Sequence, residues 1–458
     1  MADEEREKGM TRRDFVKTVG VAAAAGGVLS VGLPKEAQAA KTVGSPKEAP
    51  AAKTLKIGFI GPFTGPASRT GDQFKRGIKM ALEDARAAGE IPVRVDGKTM
   101  DIEPVWVDSQ SSPEKAVKAV THAVNRGVKM MVTGWHSSVA MACMDAEAAL
   151  KIVHIGHQGE SQYINFKIND HPHKYRGWFK GWASPPVFAG LYGPPLKYFM
   201  EKGLWRPANR KAAVIVEDTD YGRGWGDALV VSLRTAGFDV MPYDVNAIDQ
   251  TEFTPIITKY KAAGVSVVAV TETGGVPMYN FVKQVRAMNL KALLLAHGLT
   301  WTAEWYKNTM EASDYALCMD SPYPISPEQK EWMRRFKAKY GVEAGIAPSG
   351  QPYDHTRMAI KILNEAGTIK NFEKLVEHVR EKVKYKGVWQ LYDFATYNDF
   401  WKDFSEEGTL HQLSRNDIRT GGFMKGFFFP MVQMFGGKPN ILWPLDLATA
   451  EFKAPPWI

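Results

Sequence analysis

Cysteine is scarce: only Cys143 and Cys318 occur in 458 residues. They form neither a CxxC pair nor a metal-ligand spacing, which excludes a disulfide-stapled scaffold and a zinc motif. One bridge between them, or two buried thiols, both stay open. A long basic block is also missing. The net charge of +8 is modest for this length, and Lys and Arg are scattered among Asp and Glu, so a nucleic-acid partner is not expected. Beyond the N-terminal region no apolar run approaches the roughly 20 residues that a membrane span requires. Hydrolase and metalloprotease signatures, GxSxG and HExxH, do not occur. What is present is ordinary globular composition, 45% hydrophobic and 24% charged, in a chain too long for one core. Two or three domains follow.

The first 39 residues read as an address. Thr11-Arg12-Arg13-Asp14-Phe15-Val16-Lys17 precedes a weakly apolar Ala/Gly run to Leu33, and Ala37-Gln38-Ala39 supplies a small-residue cleavage site. Charged head, short apolar middle and small-residue exit describe an export signal, and the paired arginines resemble the twin-arginine type, whose export machinery carries folded proteins across the bacterial inner membrane. No cysteine stands near the cleavage site, so lipid attachment there is excluded. Residues 40–53, polar and Ala/Pro-containing without periodicity, are expected to be a disordered tether. The expected location is the periplasm.

From Leu55 the chain alternates strand and helix patterns. Leu55–Gly61 predicts a buried strand, and Gly71–Ala88 a helix with Phe74, Ile78, Ala81, Leu82 and Ala85 inward. Glu103–Val107 predicts a strand, and Ser112-Pro113 starts a helix with Ser as cap. Val117, Val120 and Val124 form its inner stripe. The stretch Val128–Ala142 then reads as strand, Gly134 turn, and helix, with Ser137 or Ser138 at the helix mouth. There a serine caps the helix, or the unpaired N–H groups and dipole receive a carboxylate. A strand at Ile152–Gly156 follows. Tyr163–Pro195 breaks the rhythm. Strands at 211–217, 239–243, 265–271 and 291–296, with helices at 225–236, 253–263 and 276–288, build a second unit. Tyr315–Met319 and Pro322–Pro324 suggest a return crossing before helices at 327–339 and 354–365, and the aromatic tail beyond Gly387 reads as irregular. This predicts an α/β fold of doubly wound parallel sheets. The Gly-bearing loop after the first strand has neither GxGxxG nor Gly-Lys-Ser/Thr, so no nucleotide cofactor is expected.

In that order, Lys56-Ile57-Gly58 through Gly65-Pro66 with Gly71 and Gly77, Asp108–Pro113, Gly134–Ser138 and Asp218–Gly224 resemble the periplasmic binding proteins of ABC importers, in the branched-chain amino-acid (Leu/Ile/Val-type) branch. The resemblance covers most of Leu55 to about Leu363. It implies two lobes joined by three crossings: 54–185 plus about 318–386, and 186–317 plus about 387–458. It also implies a monomer that closes on a small-molecule ligand and delivers it, unaltered and without cofactor or metal, to an inner-membrane ABC permease. By the resemblance, Ser137 and Ser138 hold a carboxylate, Gln158 and Glu160 wall the pocket, and Tyr221 closes from the second lobe. Glu272 is the candidate acid for a ligand ammonium. Glu160 stands where a small hydroxyl residue is usual, and Arg69 where an aromatic is usual. Each either meets the ligand or faces solvent. Trp135 and His136, with Trp178 and Trp182, either line a pocket for a flat ligand or pack in the core.

Two rivals remain at this level. An exported hydrolase is disfavoured because His154, His157, His171 and His173 lack catalytic or metal spacing and Ser137 has no base partner in the sequence. A periplasmic sensor shares the fold and pocket and cannot be separated by sequence.

Overall fold

The computed structural model describes residues 53–182, 184–185, 192–301, 304–319, 323–394 and 430–458. The expected export signal and all but the last residue of the expected tether lie outside them. The first sheet is built from β1 (Lys53–Gly61), α1 (Ser68–Ala87), β2 (Val93–Val95), β3 (Lys98–Asp108), α2 (Pro113–Asn125), β4 (Met130–Val132), α3 (Ser137–Ala149), β5 (Val153–His157), α4 (Gln162–Asp170) and β6 (Trp178–Lys180). Its six strands run β2-β3-β1-β4-β5-β6, all neighbours parallel except the β2 edge. Met130, Met131 and Val132 are fully buried, as strands covered by helices on both faces must be.

A second sheet follows: α5 (Gly193–Glu201), β7 (Lys211–Glu217), α6 (Asp220–Thr235), β8 (Asp239–Val240), β9 (Asp244–Asn246), α7 (Thr254–Ala263), β10 (Val267–Thr271), α8 (Gly275–Ala287), β11 (Leu293–His297), α9 (Trp305–Thr309) and β12 (Leu317–Met319). The chain then returns to the first sheet through α10 (Pro327–Tyr340), a π-turn at Ile346–Gly350, α11 (Gln351–Ala366), α12 (Phe372–Lys382) and the pair β13 (Lys384–Lys386) and β14 (Leu391–Asp393). Trp332 and Phe336 of α10 pack with Met80 and Ala81 of α1. Finally β15 (Met431–Phe435) and β16 (Lys438–Trp443) add an antiparallel edge beside β12.

Local chemistry sets many of these boundaries. Ser112 accepts a hydrogen bond from the Lys115 N–H at the start of α2, and Ser326 with Gln329 forms a reciprocal cap on α10, with Pro327 at its first position. Parallel register brings strand ends level: Phe59 with Val132 and Val132 with Ile155 in one sheet, Val216 with Thr271 and Thr271 with His297 in the other. The loops after those strands therefore share one edge of each sheet.

Five expectations change. Leu317–Met319, expected in a return crossing, is strand β12 inside the second sheet, paired with β11 and β15. The inner stripe of α2 is Ala116, Val120 and Ala123, with Val117 and Val124 only half-buried. The supposed break after Tyr163 holds α4 and β6, because Ile164 and Ile168 pack on Tyr175 and Trp178 despite the polar residues around them. The strand expected at 239–243 is split into β8 and β9, both paired with β7. The tail is not wholly irregular: the positive-φ glycines Gly436 and Gly437 turn a hairpin.

Gly77 of α1 lies so close to the π-turn that an added Cβ would stand 2.1 Å from the Ser349 carbonyl oxygen. Gly77→Ala should lower stability by about 1–3 kcal/mol in urea titration. An unchanged midpoint would contradict this backbone contact.

Candidate functional site

The turn between β4 and α3 is held in a conformation its residues resist. Thr133 is β-branched, yet its φ is 67°, in the left-handed region. Three bonds fix it: its N–H donates to the Ile155 carbonyl at 3.0 Å, its hydroxyl to the Ile60 carbonyl at 2.8 Å, and its own carbonyl meets His154 Nε2 at 2.6 Å. Gly134 follows at φ 145°, where a Cβ would fall 2.1 Å from the His157 ring. The chain then enters α3 at Ser137, with His136 extended at the cap position.

The serines are therefore not caps. The turn starts the helix early enough that both lie inside its first turn, and no side chain caps it. The Ser137 hydroxyl accepts from the Ser161 N–H at 3.0 Å, and that of Ser138 accepts from the Asp220 N–H at 3.3 Å, on the second-sheet side. Each keeps a proton to donate. The N–H groups of this first turn lie outside the helix ladder.

Beneath the turn, His154 and Glu147 are fully buried. Both carboxylate oxygens lie 3.0 Å from His154 Nδ1, while Nε2 faces a carbonyl and so carries a hydrogen. A further proton is thus held between Nδ1 and the carboxylate. Burial lowers His136 to about 4, so it is neutral at pH 7. Neither of its ring nitrogens has a hydrogen-bond partner among the described residues, nor does the Trp135 indole N–H.

Glu160, in the loop after β5, reaches across. One carboxylate oxygen accepts from the Trp182 indole N–H at 2.6 Å, the other from that of Trp225, on α6, at 2.5 Å. Its carbonyl accepts from the Lys180 ammonium at 2.7 Å. Burial lowers Lys180 to about 7, with Glu160 opposing. Trp225 stacks on His297 at 3.9 Å. Gln158 donates to the Ala347 carbonyl at 2.8 Å, and its own side-chain oxygen has no described partner.

From the second sheet, the Tyr221 hydroxyl lies 2.5 Å from that of Thr271. Burial and the neighbouring Glu160, Glu217 and Glu272 push it well above the usual tyrosine range. Glu272 is 1% exposed, and no described donor meets either oxygen at hydrogen-bond geometry. Burial first, and Glu217 second, push its pKa well up, while the nearby Asn246 amide acts in the opposite sense. Trp301 joins the two sides. Its ring lies 5.2 Å from Trp135, 5.9 Å from Tyr221 and 5.3 Å from His297, and its N–H has no described partner.

Thus Trp135, His136, Ser137, Ser138, Gln158, Glu160, Tyr221 and Glu272 gather where the two sheet edges meet. Arg69 does not join them. It forms a 3.0 Å ion pair with Glu304, both side chains more than half exposed, a contact worth at most about 1 kcal/mol. Trp178 packs on His154 and His157, away from that seam. Cys143 packs on the first sheet while Cys318 lies in β12 of the second, and no disulfide forms among the described residues. Sequence reasoning missed Trp225 and Trp301 as residues of this seam. Trp225 was within reach, standing four residues after Tyr221 on one helical face.

A periplasmic binding protein family model matches residues 54–403. The chain is 25% identical over 359 residues to the leucine-, isoleucine-, valine-, threonine-, and alanine-binding protein of Pseudomonas aeruginosa, covering 75% of this chain and 89% of that one. A crystal structure from Silicibacter pomeroyi shares the fold with a TM-score of 0.71 at 18% identity, over 89% of this chain and 100% of that one. So does an ABC-transporter solute-binding protein from R. palustris in complex with benzoate, at a TM-score of 0.66 and 18% identity, over 85% and 96%. Among the described residues no helix is long and apolar enough to cross a membrane.

Because Glu147 holds the ring that holds Thr133, Glu147→Ala should destabilise the fold by about 3–5 kcal/mol, the usual result of stripping a buried charge of its partner. Glu147→Gln, whose amide can donate to Nδ1 of a neutral His154, should recover most of that loss in urea titration. Equal losses would show that the bond does not support the turn.

Proposed function

The chain belongs to the periplasmic binding protein family, in its Leu/Ile/Val-type branch, and from that premise we propose that it captures a small carboxylate-bearing solute between two lobes and passes it to an ABC permease. This is a family of binding proteins, not of enzymes. The carrying observation is a set of buried polar groups that find no partner among the described residues. The Trp135 and Trp301 indole N–H groups and the His136 ring nitrogens meet none, and no described donor meets Glu272 at full hydrogen-bond geometry. Leaving such groups unsatisfied costs about 1–3 kcal/mol each, so a bound solute is their natural partner.

The reading assigns each end of that solute. Its carboxylate meets the first turn of α3, the Ser137 and Ser138 hydroxyls and the neutral donors beside them. Its apolar body lies against Trp135, Trp301 and Tyr221. A donor on the solute meets Glu272. The named relatives fit this division: the Pseudomonas aeruginosa protein is named for amino acids, and the R. palustris structure holds benzoate. Both ligands carry a carboxylate on an apolar body, and Glu272 favours an ammonium-bearing one here. In this reading the first lobe is formed by 53–182 with 327–394, and the second by 193–319 with 431–443. The protein works as a monomer in the periplasm, reached by the twin-arginine route that residues 1–39 suggest.

Calorimetry with L-leucine, L-phenylalanine and benzoate tests the reading. A carboxyl that is protonated in the free protein and ionised beside an ammonium binds fewer protons after binding. Amino-acid association should therefore release protons and strengthen as pH rises toward the Glu272 pKa of the free protein. Glu272→Gln should weaken amino-acid binding about 10- to 100-fold, the value of a charge-assisted hydrogen bond, and abolish the proton release. Benzoate binding should change little. Failure of all three solutes to bind, or an unaffected Glu272→Gln variant, would refute the assignment.

A further inference from the structure

We propose that Glu160 acts as a positioning residue, an interlobe latch whose carboxylate ties the two sheets together through Trp225 and so sets how readily the lobes stay closed. This rests on the two-lobe reading above and departs from both alternatives for Glu160, that it meets the ligand or faces solvent. The geometry commits the side chain. Each carboxylate oxygen accepts one indole N–H, from Trp182 just after β6 and from Trp225 on α6 of the second sheet. The Lys180 ammonium holds the residue's backbone carbonyl, so the carboxylate is presented from a fixed base. Trp225 is fixed in turn by stacking on His297. Glu160 is 5% exposed and Trp225 is fully buried, so this bond is shielded from water.

Other bonds join the two sides: Asp220 N–H to the Ser138 hydroxyl, the Gln162 amide to the Gly224 carbonyl at 3.3 Å, the Tyr163 hydroxyl to Asp227 at 2.8 Å, and the exposed Arg69–Glu304 ion pair. Each of these is weaker by distance or by exposure. The Glu160–Trp225 bond combines a carboxyl acceptor, short length and burial on both sides. One consequence concerns specificity: with Glu160 spent on two indoles, Glu272 is the acid left to meet a donor on the solute. Another concerns affinity, because a solute that binds only the closed form binds more tightly in proportion to the fraction already closed.

Small-angle scattering of the full chain without added solute tests the latch independently of which solute binds. The wild type should fit the closed arrangement. Glu160→Leu, which accepts from neither indole, and Trp225→Phe should both give a larger radius of gyration. Trp182→Phe, which removes the bond to Glu160 on the first-sheet side, should match the wild type. Should Trp225→Phe fail to fold, Glu160→Leu decides alone. Scattering identical for wild type and Glu160→Leu, or opening by Trp182→Phe equal to that of Trp225→Phe, overturns the proposal. Calorimetric failure with intact latch behaviour would instead fault the solute reading.

Discussion

A single strained turn organises the first half of the site. Thr133 cannot rest at φ 67° unless bonds on every side outweigh the clash between its branched side chain and its backbone. Those bonds come from both neighbouring strands and from His154 below, itself fixed by Glu147. The strain places Gly134 against His157, swings Trp135 and His136 to the sheet edge, and starts α3 with its serines inside the first turn.

The second requirement is burial. Parallel sheets end their strands level, so each offers a row of loops along one edge, and polar groups on those loops lose water when two such edges meet. Most find partners in the seam. Glu160 takes two indoles, Tyr221 takes Thr271, and Glu217 takes the Thr273 N–H and hydroxyl. Trp135, His136, Trp301 and Glu272 find none at full geometry among the described residues, and the proposed solute is what would meet them. In the proposed reading binding and closure are linked, since the same seam that excludes water would supply the contacts.

Much of the fold was legible in local pattern. Strand β7 was read to the residue as Lys211–Glu217 because seven apolar-rich residues lie between turn signals, and the Ser112-Pro113 helix start has a local cause. The helix mouth at Ser137 was found for the right reason, but of its two readings capping by a serine fails, since capping depends on the φ angles of Thr133 and Gly134. Composition does not reveal those angles. Partners across the seam were hidden more deeply. Glu160 and Trp225 are separated by 65 residues and Arg69 and Glu304 by 235, and only the packing of two sheets decides such pairs. The hairpin at Met431–Trp443 was missed because its meaning lies in pairing with β12, far back in the chain.

The central claim is that one solute touches both sheet edges at once. Amide hydrogen exchange, with and without a solute selected by calorimetry, tests it most directly. Exchange should slow together at 134–138, on the first-sheet turn, and at 271–274, after β10. Slowing confined to one of these segments, or located elsewhere in the chain, would contradict the account.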